Sequence, residues 1–240
     1  MPDPSLAQDK KRQTVRQALQ SAIQKLQSSS EIEADTDHHL EAGILLAHVL
    51  QKDRSWLFAW PEHELDPRQQ ALFDKLTRRR LNGEPVSYIT GHREFWGINL
   101  IVTPHTLIPR PETELLVETA LTYVTNPKAR VLELGTGTGA ITAALAHEKT
   151  QWQFIATDKD PETLKVTKKN LQSHSKRTSI QLSNWFEDIN PEQFDLIISN
   201  PPYIEEADSH LQQGDLRFEP KTALISGADG LNDIRLITQS

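Results

Sequence analysis

Val131-Leu132-Glu133-Leu134-Gly135-Thr136-Gly137-Thr138-Gly139 decides how this chain is read. Its first four residues are a short apolar run with a single acid, the pattern of a buried strand. Glycine then recurs at every second position, so the backbone can turn sharply and come close to a ligand. Ala140 to His147 follows as a helical pattern. A loop for a pyrophosphate has GxGxxG, and one for a triphosphate ends in GK[ST]. This GxGxG has neither the third-glycine spacing nor a lysine, which disfavours both ligands. Taken alone, it also fits a tight strand–helix turn.

The residues on the C-terminal side narrow the choice. Strand patterns recur at Phe154–Thr157, Ser179–Leu182, Asp195–Ser199 and Ala223–Ser226, and Glu162–Leu171 reads as a helix. Strands alternating with helices imply an α/β fold: a mostly parallel sheet with helices on both faces. Asp158 ends the second strand, where an acid can accept hydrogen bonds from ribose hydroxyls. The same residue would also serve as a helix cap before Pro161. Together, the glycine loop and the acid indicate a nucleoside-bearing ligand that needs no pyrophosphate. S-adenosyl-L-methionine fits, with its ribose at Asp158 and its amino-acid end over the glycines.

The fourth strand runs into Asn200-Pro201-Pro202-Tyr203. In an open α/β sheet the ligand crevice lies beyond the carboxyl ends of the strands. Consecutive prolines fix φ and make a stiff support. The Asn200 side-chain oxygen and a main-chain carbonyl can accept both protons of a planar NH₂ group, and Tyr203 can stack on its face. Such acceptors localise a delocalised nitrogen lone pair and stabilise the positive charge that develops during methyl transfer.

The chain has 240 residues, 37% of them hydrophobic and 25% charged, with no cysteine. That is enough apolar material for a core, and it excludes disulfides and cysteine-ligated metals. The net charge is −7, from 26 Lys and Arg against 33 Asp and Glu, which disfavours a protein that blankets phosphates. No secretory h-region or membrane-length apolar run is seen, so a soluble, cytoplasmic protein is expected. The first 83 residues read as helices. Val15, Leu19, Ala22, Ile23 and Leu26 recur at helical spacing until Ser28-Ser29-Ser30. Asp37 caps a second apolar run. Asp66 and Pro67 open a third helix with Leu72, Phe73, Leu76 and Leu81 on one face, stopped by Asn82-Gly83. Val86 to Val102 reads as a β-hairpin, and Ile108 to Glu114 as a stiff lead into a helix.

These motifs together resemble the protein-(glutamine-N5) methyltransferases of class-1 peptide-chain release factors, the PrmC/HemK family. The resemblance is carried by Arg78-Arg79-Arg80 with Gly83-Glu84-Pro85, Gly91 with Arg93 to Trp96, and Leu107 to Glu114. It continues through Glu133 to Gly139, Ser199 to Tyr203, Gln212 to Asp215, and Arg217-Phe218-Glu219-Pro220. It implies a class I S-adenosylmethionine-dependent methyltransferase fold, Rossmann-like, with an N-terminal helical domain. The donor would be S-adenosyl-L-methionine and the acceptor the glutamine amide of the release factor's GGQ motif. By position, Gly135, Thr136, Gly137, Thr138 and Gly139 would line the methionine end, Asp158 the ribose and Trp185 the adenine. Asn200 would meet both donor and substrate. Pro201, Pro202 and Tyr203 would complete the glutamine pocket, with Asn200, Pro201 and Tyr203 the catalytic set. The expected division is 1–84 for substrate docking, 85–109 as a hairpin linker and 110–240 as the catalytic domain. The family commonly has an acid where this chain has Asn184. Its sheet also gains two strands beyond the helix that begins near Leu231. An incomplete sheet is therefore expected here, with Ala223–Ser226 as its open edge.

The NPPY tetrapeptide is shared with N6-adenine methyltransferases of nucleic acids, and an inactive shortened homologue is a further alternative. The acidic balance and the helical first domain disfavour a nucleic-acid partner. Of the remaining signals, His38-His39 reads as a solvated helix start rather than a metal site, and Arg78-Arg79-Arg80 as a solvated face. Glu112 and Glu114 read as acids at a helix start, and Arg110 as a neighbour of the cofactor pocket. Trp56, Trp60 and Trp96 read as core or interface anchors, and Tyr88 and Phe95 as lining for the substrate path.

Overall fold

The computed structural model describes residues 12–33, 35–190 and 193–239. The chain divides into two compact units between Thr90 and Gly91.

The first unit is helical: α1 (Val15–Gln27), α2 (His38–Leu50), α3 (Arg54–Ala59), α4 (Pro67–Leu81) and α5 (Val86–Thr90). Helix α1 buries Val15, Ala18, Ala22 and Leu26, one stripe at three- and four-residue spacing. Helix α2 is apolar almost all round and packs against α1, α3, α4 and α5. The caps are those expected from sequence: Asp37 accepts from the Leu40 amide, and Asp66 from those of Arg68 and Gln69. Gly83, at φ +87°, ends the α4 region.

Several expectations need correcting here. Leu72 is exposed, and the buried face of α4 is Phe73, Leu76, Thr77 and Arg80. Trp60 is 59% exposed and anchors no core, whereas Trp56 packs against the helical core. The arginine run is not simply solvated: Arg80 is buried against Glu41 at 2.8 Å, and Arg79 is paired with Glu84. Val86–Thr90 is helix despite its β-branched residues. Pro85 accepts the Ile89 amide, Ile89 is buried in the helical core, and Gly91 at φ +78° ends the turn. Tyr88 is likewise buried, and does not line an open path.

The second unit begins with a hairpin, β1 (His92–Phe95) and β2 (Ile98–Ile101). Its two-residue loop, Trp96-Gly97, has φ of +54° and +69°, the primed-turn geometry that matches strand twist. Trp96 is held in that strained conformation by Glu114, which accepts its amide, and by Glu148, which accepts its indole N–H. Phe95 and Leu100 enter the core of this unit, so Phe95 is a packing residue. There follow α6 (Glu114–Tyr123), β3 (Arg130–Leu134), α7 (Ala140–Glu148), β4 (Gln153–Asp158), α8 (Pro161–Asn170), β5 (Thr178–Leu182), β6 (Leu196–Ser199) and α9 (Asn232–Gln239).

Strands β3 to β6 form a parallel sheet in the order β5-β4-β3-β6. The chain builds outward from β3 through β4 to β5, then crosses back to the other side of β3. The α/β expectation holds, with one correction. Ala223–Ser226 is not a strand: residues Lys221–Ala223 form a 3₁₀ turn, and only Ile225 bridges, to Ile204. Gly227, at φ +77°, cuts the segment short. The edge of the sheet on that side is therefore β6, whose Ile197 is 48% exposed. Among the described residues, no helix is long and apolar enough to cross a membrane.

Replacing Arg80 with leucine strips the cation opposite Glu41 from a buried position. It is expected to cost about 3 kcal/mol of stability, read by urea denaturation followed by circular dichroism. Arg80→Lys should recover only part of this, because the guanidinium also donates to the carbonyls of Gly83 and Glu84.

Candidate active site

Register brings the motifs together. Leu134, the last residue of β3, pairs with Thr157 on one side and Ser199 on the other. The next residues, Gly135, Asp158 and Asn200, therefore leave three neighbouring strand ends side by side. This is the point at which strand order reverses, where open α/β sheets bind ligands. The Ser199 hydroxyl locks the junction by donating to the Leu134 carbonyl at 2.9 Å.

The glycine loop is built around close approaches. Gly135, Gly137 and Gly139 all have positive φ. A Cβ on Gly135 would lie 3.3 Å from the Trp185 ring, and one on Gly139 would lie 3.2 Å from both Leu171 and Thr167. Gly139 thus opens α7 and permits its packing rather than lining the cavity, whereas Gly135, Thr136, Gly137 and Thr138 do line it. Asp158 lines the same cavity and accepts the amides of Gly137 and Asp160, each at 3.0 Å. The helix cap before Pro161 is Asp160, which accepts from Glu162, so Asp158 is not spent on capping. Burial pushes the Asp158 carboxyl above the usual aspartate range, against the pull of those amides.

Glu133 is a site residue that motif reading left without a role. It is buried at the cavity floor, where one oxygen accepts the hydroxyls of Thr136 and Thr142 and the Thr142 amide. Burial outweighs those donors and raises its pKa to about 7. A second missed pair is Arg110 with Glu219. Glu219 is buried, accepts the Ile108 amide at 3.0 Å and pairs with Arg110 on the cavity wall. Burial raises the Glu219 carboxyl, opposed by Arg110.

A second cavity adjoins the first. The two share Leu107, Arg110, Thr113, Asn200, Pro201 and Ala223. Pro202 lines only the first, and Tyr203 only the second, together with Leu115, Leu116 and Leu216. Asn200-Pro201 is therefore part of a partition. The Asn200 Nδ2 donates to the Thr113 hydroxyl at 3.3 Å, which leaves its Oδ1 as the acceptor.

Known proteins similar to this chain cover most of its length. A family model described as the PrmC N-terminal domain matches residues 17–91, and one described as the methyltransferase small domain matches residues 111–218. The release factor glutamine methyltransferase of Shewanella oneidensis is 45% identical over 228 residues, covering 94% of this chain and 78% of that protein. That of Escherichia coli K12 is 45% identical over 224 residues, 92% of this chain and 79% of its own length. The Pseudomonas aeruginosa protein is 45% identical over 213 residues, 88% of this chain and 77% of that protein.

This chain belongs to the release factor glutamine methyltransferase family. The first family model falls on the helical unit, and the second runs from the Arg110 turn through the partition. As a methyltransferase of this family, the chain has its glycine loop and NPPY turn on adjacent strands of one sheet.

The buried Glu133 gives a pH signature. Its carboxyl ionises near 4.5 when unfolded and near 7 when folded. Between those values the folded state keeps a proton that the unfolded chain has lost, so stability falls as pH rises through the window. Glu133→Gln keeps an acceptor for the threonines and removes the titration. Urea midpoints measured from about pH 5 to about pH 8 should decline in the wild type relative to this variant, and level off above the folded value.

Proposed function

We propose that the enzyme transfers a methyl group from S-adenosyl-L-methionine to the side-chain amide nitrogen, N5, of the glutamine in the GGQ motif of class-1 peptide-chain release factors. The observation that carries this reading is the partition. Asn200-Pro201 separates a cavity bounded by the glycine loop and Asp158 from one bounded by Tyr203 and apolar side chains.

The residues of the first cavity suit the donor. The bare backbone at Gly135 lets the Trp185 ring lie against it as one wall of the cavity, where a Cβ would crowd the ring. Asp158 offers carboxylate lone pairs beside it for ribose hydroxyls. When bound, S-adenosyl-L-methionine supplies a methyl on a sulfonium, so that the amide lone pair displaces a neutral thioether. The protein's part is placement and electrostatics. Asn200 Oδ1 and a main-chain carbonyl of the turn accept the two amide protons, and Tyr203 lies against the amide plane. The partition aims the nitrogen through the wall and favours its developing positive charge without a strong base. The extra proton on the methylated nitrogen is acidic enough to leave to water.

The names of the relatives support a glutamine acceptor over an adenine, although both chemistries use the NPPY arrangement. In this reading residues 1–84 dock the protein substrate and residues 110–240 carry the chemistry, while the expected 85–109 linker is divided, Val86–Thr90 belonging to the helical unit and the β1–β2 hairpin to the second.

Incubating the full chain with labelled donor and with release factor or DNA tests the reading directly. Label should appear on the GGQ glutamine by mass spectrometry, and transfer to DNA alone would refute it. Asn200→Ala should slow transfer by about 10²-fold or more while changing donor affinity little. Asp158→Ala should instead weaken donor binding by about 1.5–3 kcal/mol in calorimetry.

A further inference from the structure

Trp185 has φ +52°, an uncommon conformation for a bulky residue that persists only when its surroundings hold it. Three observations show what holds it. The Ser183 hydroxyl donates to the Trp185 carbonyl at 2.8 Å, and the Ser183 amide donates to the Asp158 carbonyl, so the turn is anchored to the end of β4. The indole N–H donates to Oδ1 of Asp233 at 3.2 Å, across 48 residues of sequence. The ring itself already lies against the bare backbone of Gly135.

Asp233, in the first turn of α9, also faces the other way. Its amide donates to the Ser226 hydroxyl at 2.8 Å, and the Ser226 amide donates to the Ile204 carbonyl at 3.0 Å. Ile204 in turn donates to the Leu224 carbonyl, and Glu206 to that of Gly227. A Cβ on Gly230 would lie 2.4 Å from the Tyr203 carbonyl oxygen, so this segment is pressed against the residues that follow the double proline.

We infer that Asp233 is a positioning residue: it fixes the Trp185 wall over Gly135, and through Ser226 it ties that wall to the backbone behind the Asn-Pro-Pro-Tyr turn. The inference rests on the reading of this cavity as the S-adenosyl-L-methionine site. An indole N–H is a donor only, and a carboxylate acceptor both orients the ring and strengthens the hydrogen bond. Without it, the ring is free to rotate off the glycine, and the cavity loses that wall.

The test uses the full chain, with calorimetry of S-adenosylhomocysteine binding and ¹⁵N spectra of the indole N–H groups in the ligand-free protein. The Trp185 resonance is the one missing from Trp185→Phe. Asp233→Ala should weaken binding by about 5–20-fold and move that resonance upfield, and Asp233→Asn, which keeps Oδ1, should bind within about twofold of wild type. Trp185→Phe should bind as weakly as Asp233→Ala, and the double variant should be no weaker than either single one. If Asp233→Ala does not fold, Asp233→Ser takes its place, since it is too short to reach the indole and still suits a helix start. Unchanged affinity and an unmoved resonance, or additive losses in the double variant, overturn the inference. A wild-type chain that binds no S-adenosylhomocysteine overturns the reading of the cavity instead, while the indole spectrum still reports whether Asp233 holds Trp185.

Discussion

Everything at the proposed site depends on the strand alignment around Leu134. One residue pairs with Thr157 and Ser199 at once, so three chain segments leave the sheet at the same level. Had either neighbour slipped by a single residue, its side chains would have changed faces and its exit would have moved by about 3.3 Å. The Ser199–Leu134 hydrogen bond and the threonine and carboxylate bonds beneath the loop reinforce that alignment from the side chains. Two of the loop's left-handed glycines also answer to packing: a Cβ on Gly135 would crowd Trp185 and one on Gly139 would crowd Thr167 of α8, whereas Gly137 has open space around it and serves the turn through its positive φ alone.

Buried charge is used sparingly, and each case has a local answer. Arg80 meets Glu41, Arg110 meets Glu219, and Glu133, with no ion pair among the described residues, takes several neutral donors. The first two are ion pairs joining segments far apart in sequence, and they act as staples whose removal from one side is costly. Glu133 differs. With no positive partner among those donors, its burial favours the protonated form, and the carboxyl sits near neutrality.

Much of this was legible in the sequence, because the decisive signals are local. The β3–loop–α7 unit, the acid that ends β4, the prolines after β6, and the Asp37 and Asp66 caps each depend on a few adjacent residues. What escaped was set by distant partners. Val86–Thr90 has the composition of a strand, yet it is a helix because Ile89 is buried among helices. The six-residue α3 is too short to carry a periodic pattern. The Ala223–Ser226 run looks like a strand but meets only one bridging partner. Glu219 lies 109 residues from Arg110, and Asp233 lies 48 from Trp185, so neither pairing leaves a trace in spacing.

The double proline has an effect beyond stiffness. Pro201 and Pro202 contribute carbonyl oxygens to this corner and no amide hydrogens. For two residues in a row the main chain offers electron pairs with no compensating donor, beside an asparagine whose NH₂ is already turned toward Thr113. Under the proposed function the corner acts as a one-signed recognition element: a primary carboxamide has hydrogens to give it, whereas the carboxylate of a glutamate, nearly the same size and shape, has none.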